Sequence, residues 1–151
     1  MKILAVDYGD TRTGLAMCDR TEFLASPLGI ITEKSFGKVA EKIVYATREY
    51  DAQMVVIGLP LNMDGSRGPR AEKAEKLANT LRGVLEIPVE LWDERATTIS
   101  AANILSANGT YGKKRKQVLD AVAAVVILES FMAYRKNQKE RAAREAAENA
   151  E

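Results

Sequence analysis

The chain has 151 residues, 46% of them hydrophobic and 28% charged, with a net charge of +1, which predicts one globular domain whose basic surfaces are local. It has no histidine and one cysteine, Cys18, which excludes Ser-His-Asp catalysis and an internal disulfide and disfavours a zinc site. The single thiol indicates a reducing cytoplasm, and because no apolar stretch is long enough to cross a bilayer we expect no membrane association.

Hydrophobic periodicity predicts alternating strands and helices. The predicted strands cover residues 2–7, 13–18, 28–32, 53–58 and 89–92, and the predicted helices begin near residues 35, 70, 98 and 116. Short connections favour an antiparallel meander of the first three strands, and right-handed crossovers place the fourth strand beside the first. We therefore expect an α/β fold: a mixed five-stranded sheet, an antiparallel meander plus two parallel strands, flanked by helices. It would span residues 1–134, and the charged, alanine-rich residues 135–151 would form a helical or frayed tail.

Three acids lie in or beside apolar segments, where a carboxylate is costly unless a cation meets it. Asp7 ends the apolar run of the first strand, Glu94 follows the strand that contains Trp92, and Asp120 is the only charge in residues 118–128. In a chain without histidine, such carboxylates favour a hard divalent ion, Mg²⁺ or Mn²⁺. Two such ions could activate a water and stabilise the leaving oxygen during hydrolysis of a phosphodiester.

Each acid also has a structural interpretation, which the sequence leaves open. Asp7 could cap the turn that follows it, and Asp120 could pair with Lys113 or Lys116, which precede it in the chain. Glu94 could form a surface ion pair or start a helix. Its strand lies two places from that of Asp7, roughly 10 Å at the usual strand spacing, so the chain would have to curl back across the sheet.

Basic residues near the same predicted sheet edge could guide a polyanion. A run of four precedes the helix that carries Asp120, and four arginines lie in or beside the loops. The candidate phosphate-binding residues are Arg12, Arg67, Arg70, Arg95, Lys113, Lys114, Arg115 and Lys116.

Four separated segments resemble the YqgF family, also called RuvX. They begin at Val6-Asp7-Tyr8-Gly9, at Val56-Ile57-Gly58-Leu59-Pro60, at Trp92-Asp93-Glu94-Arg95 and at Asp120-Ala121-Val122. The resemblance implies an RNase H-like fold and a cytoplasmic bacterial nuclease that matures the 5′ end of pre-16S ribosomal RNA or resolves Holliday junctions. It also implies that Asp7, Glu94 and Asp120 are the catalytic acids.

The leading hypothesis is a metal-dependent endonuclease, a monomer or a homodimer, acting on structured RNA such as pre-16S rRNA within the pre-ribosome. One alternative keeps the chemistry but takes branched DNA, a four-way junction, for which symmetric cutting requires a dimer. The other is a non-catalytic RNA-binding module in ribosome assembly, whose binding would be indifferent to Mg²⁺.

Overall fold

A computed structural model of the chain describes residues 1–96 and 112–150, with the backbone alone for residues 112–120. The described residues form five strands, three α-helices and a single 3₁₀ turn. In chain order these are β1 (Ile3–Asp7), β2 (Arg12–Cys18), β3 (Ala25–Thr32), α1 (Phe36–Glu49), β4 (Met54–Leu59), α2 (Pro69–Arg82), β5 (Val89–Asp93), the 3₁₀ turn (Glu94–Ala96) and α3 (Gly112–Asn149).

The five strands form one mixed sheet in the order β3-β2-β1-β4-β5. The pairs β1–β2 and β2–β3 are antiparallel, whereas β1–β4 and β4–β5 are parallel. This confirms the predicted meander, the two added parallel strands and the position of the fourth strand beside the first. Because β1, β4 and β5 are parallel, their carboxyl ends meet at one edge of the sheet, where sites in such folds form.

The two faces of the sheet carry separate cores, as the alternation of side chains along a strand requires. Leu4 and Val6 of β1 pack under α1 and α2, whereas Ile3 and Ala5 pack under α3. On that second face, α3 contributes a fully buried stripe that includes Leu128. The face of each residue in β1 is therefore fixed by whether its number is odd or even.

Local signals explain where the helices begin. The Ser35 hydroxyl accepts a hydrogen bond from the amide of Lys38 at the start of α1, and Pro69 occupies the first turn of α2. Among the described residues no helix is both long enough and apolar enough to cross a membrane.

Two observed element starts differ from those expected by three residues or more. β3 begins at Ala25 and includes Pro27, which a sheet tolerates because β3 is an edge strand. α3 begins at Gly112, earlier than expected, and continues through the charged tail to Asn149. The helix predicted near residues 98–107 lies outside the described residues.

Candidate active site

Asp7 lies at the carboxyl edge of the sheet with a glycine on each side. It is half-buried and pairs with Gly14 of β2. One residue beyond the pair Val6–Ile57 of β1 and β4, it lies beside Gly58. As an odd-numbered residue of β1, it belongs to the face covered by α3. Because neither neighbouring strand has a side chain at this level, the backbone leaves room around the carboxylate.

Glu94 folds back over β4 because Gly58 has no side chain. A Cβ atom added to Gly58 would lie 2.6 Å from Ile127 Cδ1, 3.1 Å from Glu94 Cδ and closer still to Glu94 Oε1. The carboxyl group of Glu94 therefore occupies the space that any other residue at position 58 would fill. Since Gly58 neighbours Asp7, this curl brings Glu94 toward Asp7 across the width of one strand, about 4.8 Å.

Contacts with α3 hold β5 and the 3₁₀ turn in this position. The indole Nε1 of Trp92 donates to the Ser130 hydroxyl at 3.1 Å, and that hydroxyl donates to the carbonyl of Ala96 at 3.3 Å. The Trp92 ring also meets Phe131 edge-on, with the centroids 5.5 Å apart. Both sides of Glu94 are thus attached to the helix that covers the acid face.

Burial dominates the electrostatics at Glu94. Desolvation raises the pKa of its carboxyl group, the positive charge of Arg70 opposes that rise, and the negative charge of Asp93 adds to it. Arg70 also lowers the pKa of Asp10, although the main cause there is the hydrogen bond from Lys73. The guanidinium of Arg70 therefore acts on acids on both sides of this sheet edge.

The four predicted arginines of the described region have different surroundings. Arg67 pairs with Glu75 (Nε–Oε1, 3.0 Å), and Arg95 pairs with Asp93 (Nη2–Oδ2, 2.8 Å). Arg12 is half-buried at the start of β2, and Arg70 is exposed in the first turn of α2. The side chains of Lys113, Lys114, Arg115 and Lys116 lie outside the described residues. Phosphate binding by these residues stays a prediction.

Asp120 belongs to α3, but its side chain is outside the described part of the chain. Its backbone precedes Ala124 by about one helical turn and Ile127 by about two, and both of these residues are buried against the sheet. Among the side chains that the structure describes, no three His, Cys, Asp or Glu residues form a metal-binding group. The grouping of all three acids therefore stays a prediction.

The residue that sequence reasoning missed is Gly58. An isolated glycine inside the apolar run of β4 was the available signal, because glycine within a strand often marks the close approach of another group.

A mixed sheet in this order, with an acid ending its first strand and a helix across that face, is the RNase H-like fold. Solved structures that share it include two Holliday junction resolvases. The chain superposes on Thermus thermophilus RuvC in complex with a Holliday junction substrate with a TM-score of 0.66 at 13% identity, covering 91% of this chain and 96% of that one. For the fowlpox virus Holliday junction resolvase the TM-score is 0.56 at 14% identity, with 89% and 99% covered.

The sequence comparisons define the family. Residues 1–134 match the family described as "RuvX: Holliday junction resolvase". A relative from Pelotomaculum thermopropionicum is 43% identical over 133 residues, covering 87% of this chain and 86% of that protein. One from Halothermothrix orenii is 39% identical over 134 residues, covering 89% and 96%. Both carry the name "Putative pre-16S rRNA nuclease". The chain belongs to the RuvX family, as the four motifs indicated.

Proposed function

We propose that this protein is a divalent-metal-dependent endonuclease that hydrolyses a phosphodiester bond of structured RNA in the cytoplasm, with pre-16S rRNA in the pre-ribosome as its substrate. The observation that carries the proposal is the curl of Glu94 over Gly58, which brings a second carboxylate toward Asp7 at the carboxyl edge of the sheet. The names of the relatives at about 40% identity support the choice of RNA.

The described residues fit a hard divalent ion. Asp7 and Glu94 offer carboxylate oxygens, and both residues are half-buried. Gly58, on the strand between theirs, has no side chain that would fill the space between the two carboxylates. Asp7, Glu94 and Asp120 would hold Mg²⁺ or Mn²⁺. A bound divalent ion supplies a lowered pKa for an attacking water and charge stabilisation for the leaving oxygen.

The chain's own residues position the substrate around that chemistry. Gly14 and Gly58 let a phosphate approach the backbone near Asp7, and the guanidinium of Arg70 supplies a positive charge near Glu94. The basic run at residues 113–116 precedes Asp120 in the same helix and would bind phosphates of the nucleic acid farther from the cleaved bond. Binding and cleavage are thus assigned to separate residues, so they can be tested separately.

The test is cleavage of an end-labelled 5′-extended 16S precursor by the purified protein, with Mg²⁺ or Mn²⁺ against EDTA. We expect metal-dependent cutting that Asp7→Asn abolishes while binding of the RNA persists. Asp10→Asn is the matched control, because Asp10 lies three residues away, is exposed and pairs with Lys73 at 2.7 Å. Tight RNA binding that ignores both metal and Asp7→Asn, with no cutting, would indicate the assembly module instead.

A four-way DNA junction is the second candidate substrate. The description of the family and the fold shared with junction resolvases favour it. Paired, symmetric nicks in a junction, made by a homodimer and with no cutting of the RNA precursor, would establish this alternative. A monomer in sedimentation that cuts only the RNA would exclude it.

A further inference from the structure

The loop at residues 60–68, between β4 and α2, is folded on itself by hydrogen bonds. The amide of Asn62 donates to the carbonyl of Ser66 at 2.9 Å, and the amide of Gly65 donates to the carbonyl of Asn62 at 2.8 Å. The Asp64 carboxylate accepts from the amide and the hydroxyl of Ser66, at 2.9 and 2.6 Å. This network defines one conformation for the tip of the loop.

Arg95 ties that tip to the candidate active site. Its Nη1 donates to the carbonyl of Met63 at 3.4 Å, while its Nε and Nη2 donate to the carboxylate of Asp93. Gly65 has φ +86°, and its missing Cβ would lie 3.4 Å from the same guanidinium. Since Arg95 directly follows Glu94, this hydrogen bond links the backbone of the tip to the segment that carries that acid.

The side chain at this fixed tip is apolar and almost completely exposed. Met63 is 91% exposed, more than any other large hydrophobic residue among those the structure describes. A single exposed apolar residue is ordinary on a protein surface. Here it stands beside the carboxyl edge of the sheet, on a loop that is folded on itself and bonded to Arg95. The polar side chains next to it are hydrogen-bonded to one another.

We propose that Met63 is a wedge that packs against a base of the bound nucleic acid, at a step next to the cleaved phosphate, and unstacks it. The inference rests on the proposed function and deepens it. Apolar side chains, methionine among them, enter between bases in this way, and unstacking is easiest where a base is unpaired or mismatched. Met63 would thus favour substrates with a weakly stacked nucleotide at the cut, as at a bulge or a junction of paired and single strands.

Methionine suits this role because its unbranched, polarisable side chain adapts to different shapes. It has no hydrogen-bond donor, so it would sense how readily a base leaves the stack and would not read base edges. Arg95 is then a positioning residue, since it holds the loop and does not need to touch the nucleic acid.

The experiment places 2-aminopurine, whose fluorescence rises when it is unstacked, at successive positions around the mature 5′ end of a 16S precursor fragment. Fluorescence and anisotropy are measured in EDTA, so that neither depends on cleavage. We expect the wild-type protein to raise the fluorescence at one position by roughly fivefold and Met63→Leu to retain most of that rise. Met63→Gln, which keeps the length of the side chain, and Met63→Ala should lose most of it while still binding.

Val84→Ala is the matched control, because Val84 is also exposed (57%) but follows α2 at the opposite edge of the sheet. Its fluorescence signal should equal that of the wild type. In the cleavage assay, removing the base at the responsive position should restore the cleavage rate of Met63→Ala to within about twofold of the wild-type rate.

An equal fluorescence rise with Met63→Gln, or a bound precursor with no rise at any position, would overturn the wedge. The nuclease proposal is judged separately, by metal-dependent cutting with the wild-type protein. A rise that Met63→Gln removes, in a protein that never cuts, would support the wedge and overturn the nuclease proposal. No binding at all would overturn both.

Discussion

Two glutamates of this protein, Glu22 and Glu94, are both partly withdrawn from solvent, but their pKa values are shifted in opposite directions. Glu22, in the turn between β2 and β3, accepts from Arg135 Nε at 2.6 Å and Lys139 Nζ at 3.2 Å, and pairs with the amino terminus at 3.4 Å. The hydrogen bond from Arg135 is the largest cause that lowers the pKa of Glu22 to about 2. At Glu94, burial outweighs the charge of Arg70 and raises the pKa.

The difference separates a carboxylate that serves folding from one suited to a bound cation. Glu22 is neutralised by cations of its own chain, and two of them lie on α3, so it fastens the long helix to the turn. The charged form of Glu94 is disfavoured where it lies, and a divalent ion would reverse that. Replacing the carboxylate by an amide should therefore reduce cleavage at Glu94 and reduce stability at Glu22.

Between these two glutamates, the larger effect on cleavage is expected for Glu94→Gln. If Glu94 is a metal ligand, cleavage should fall by roughly a hundredfold or more, because the amide has no charge with which to hold the ion. The melting temperature should change little, since at Glu94 the cost of desolvating the charge outweighs the attraction of Arg70. Single-turnover cleavage and thermal unfolding of the same preparation measure both. A variant that cuts normally would remove Glu94 from the site.

Gly58→Ala tests the geometry without touching any acid. The added methyl group would occupy the space of Glu94 Oε1 and Ile127 Cδ1, so the carboxyl group has to move. We expect cleavage to fall by about tenfold or more, with a loss of roughly 1 to 3 kcal/mol in the free energy of unfolding from overpacking.

The matched control for Gly58→Ala is Gly37→Ala in α1, where a Cβ would meet nothing within 4 Å. That variant should cut normally and be more stable by up to about 1 kcal/mol, because alanine favours a helix. Denaturant unfolding and cleavage of both variants decide the matter. Normal cutting by Gly58→Ala would show that the curl of Glu94 over β4 has no part in catalysis.

The sequence predicted the sheet and the positions of Asp7 and Glu94 at the ends of its strands, but not how Glu94 approaches Asp7. Apolar runs mark β1 and β4 directly, and the crossover rule orders them. The curl of Glu94 depends on an absent side chain at Gly58, 36 positions earlier, and no local pattern connects the two. β3 begins at Ala25, three residues before the predicted start, because an edge strand tolerates a proline such as Pro27.

The ion pairs of the arginines could not be predicted from the sequence either. Arg67 and Arg95 remain candidate phosphate-binding residues, and the structure shows that each also pairs with an acid, Glu75 and Asp93 respectively. Their partners are eight and two residues away, and both arginines are near other acids too, so spacing alone does not identify the pairs.

Glu22→Gln should do the reverse of Glu94→Gln, with cleavage kept and stability lost. We expect the free energy of unfolding to fall by about 1 to 3 kcal/mol at neutral pH, because Arg135 and Lys139 lose a partly buried partner. Because the folded pKa of Glu22 is lowered, its contribution is fully present above the ordinary pKa of 4.5 and disappears as the pH falls toward about 2. Urea unfolding at pH 7 and pH 3 should show the two proteins converging at the lower pH. A constant difference would mean that packing, not charge, holds the turn.

Asp10→Asn should have the smallest effect, and it sharpens the comparison because Asp10 shares the edge of the sheet with Asp7. Its side chain is 72% exposed, and the lowered pKa comes mainly from a hydrogen bond with Lys73 in α2. Solvent and salt screen such a pair, so cleavage should stay within about twofold and the melting temperature within roughly 1 °C of the wild type. Cleavage and thermal unfolding at low and high ionic strength measure this. A loss of cutting as large as that of Asp7→Asn would mean that burial does not distinguish the acids that act from those that only tie loops together.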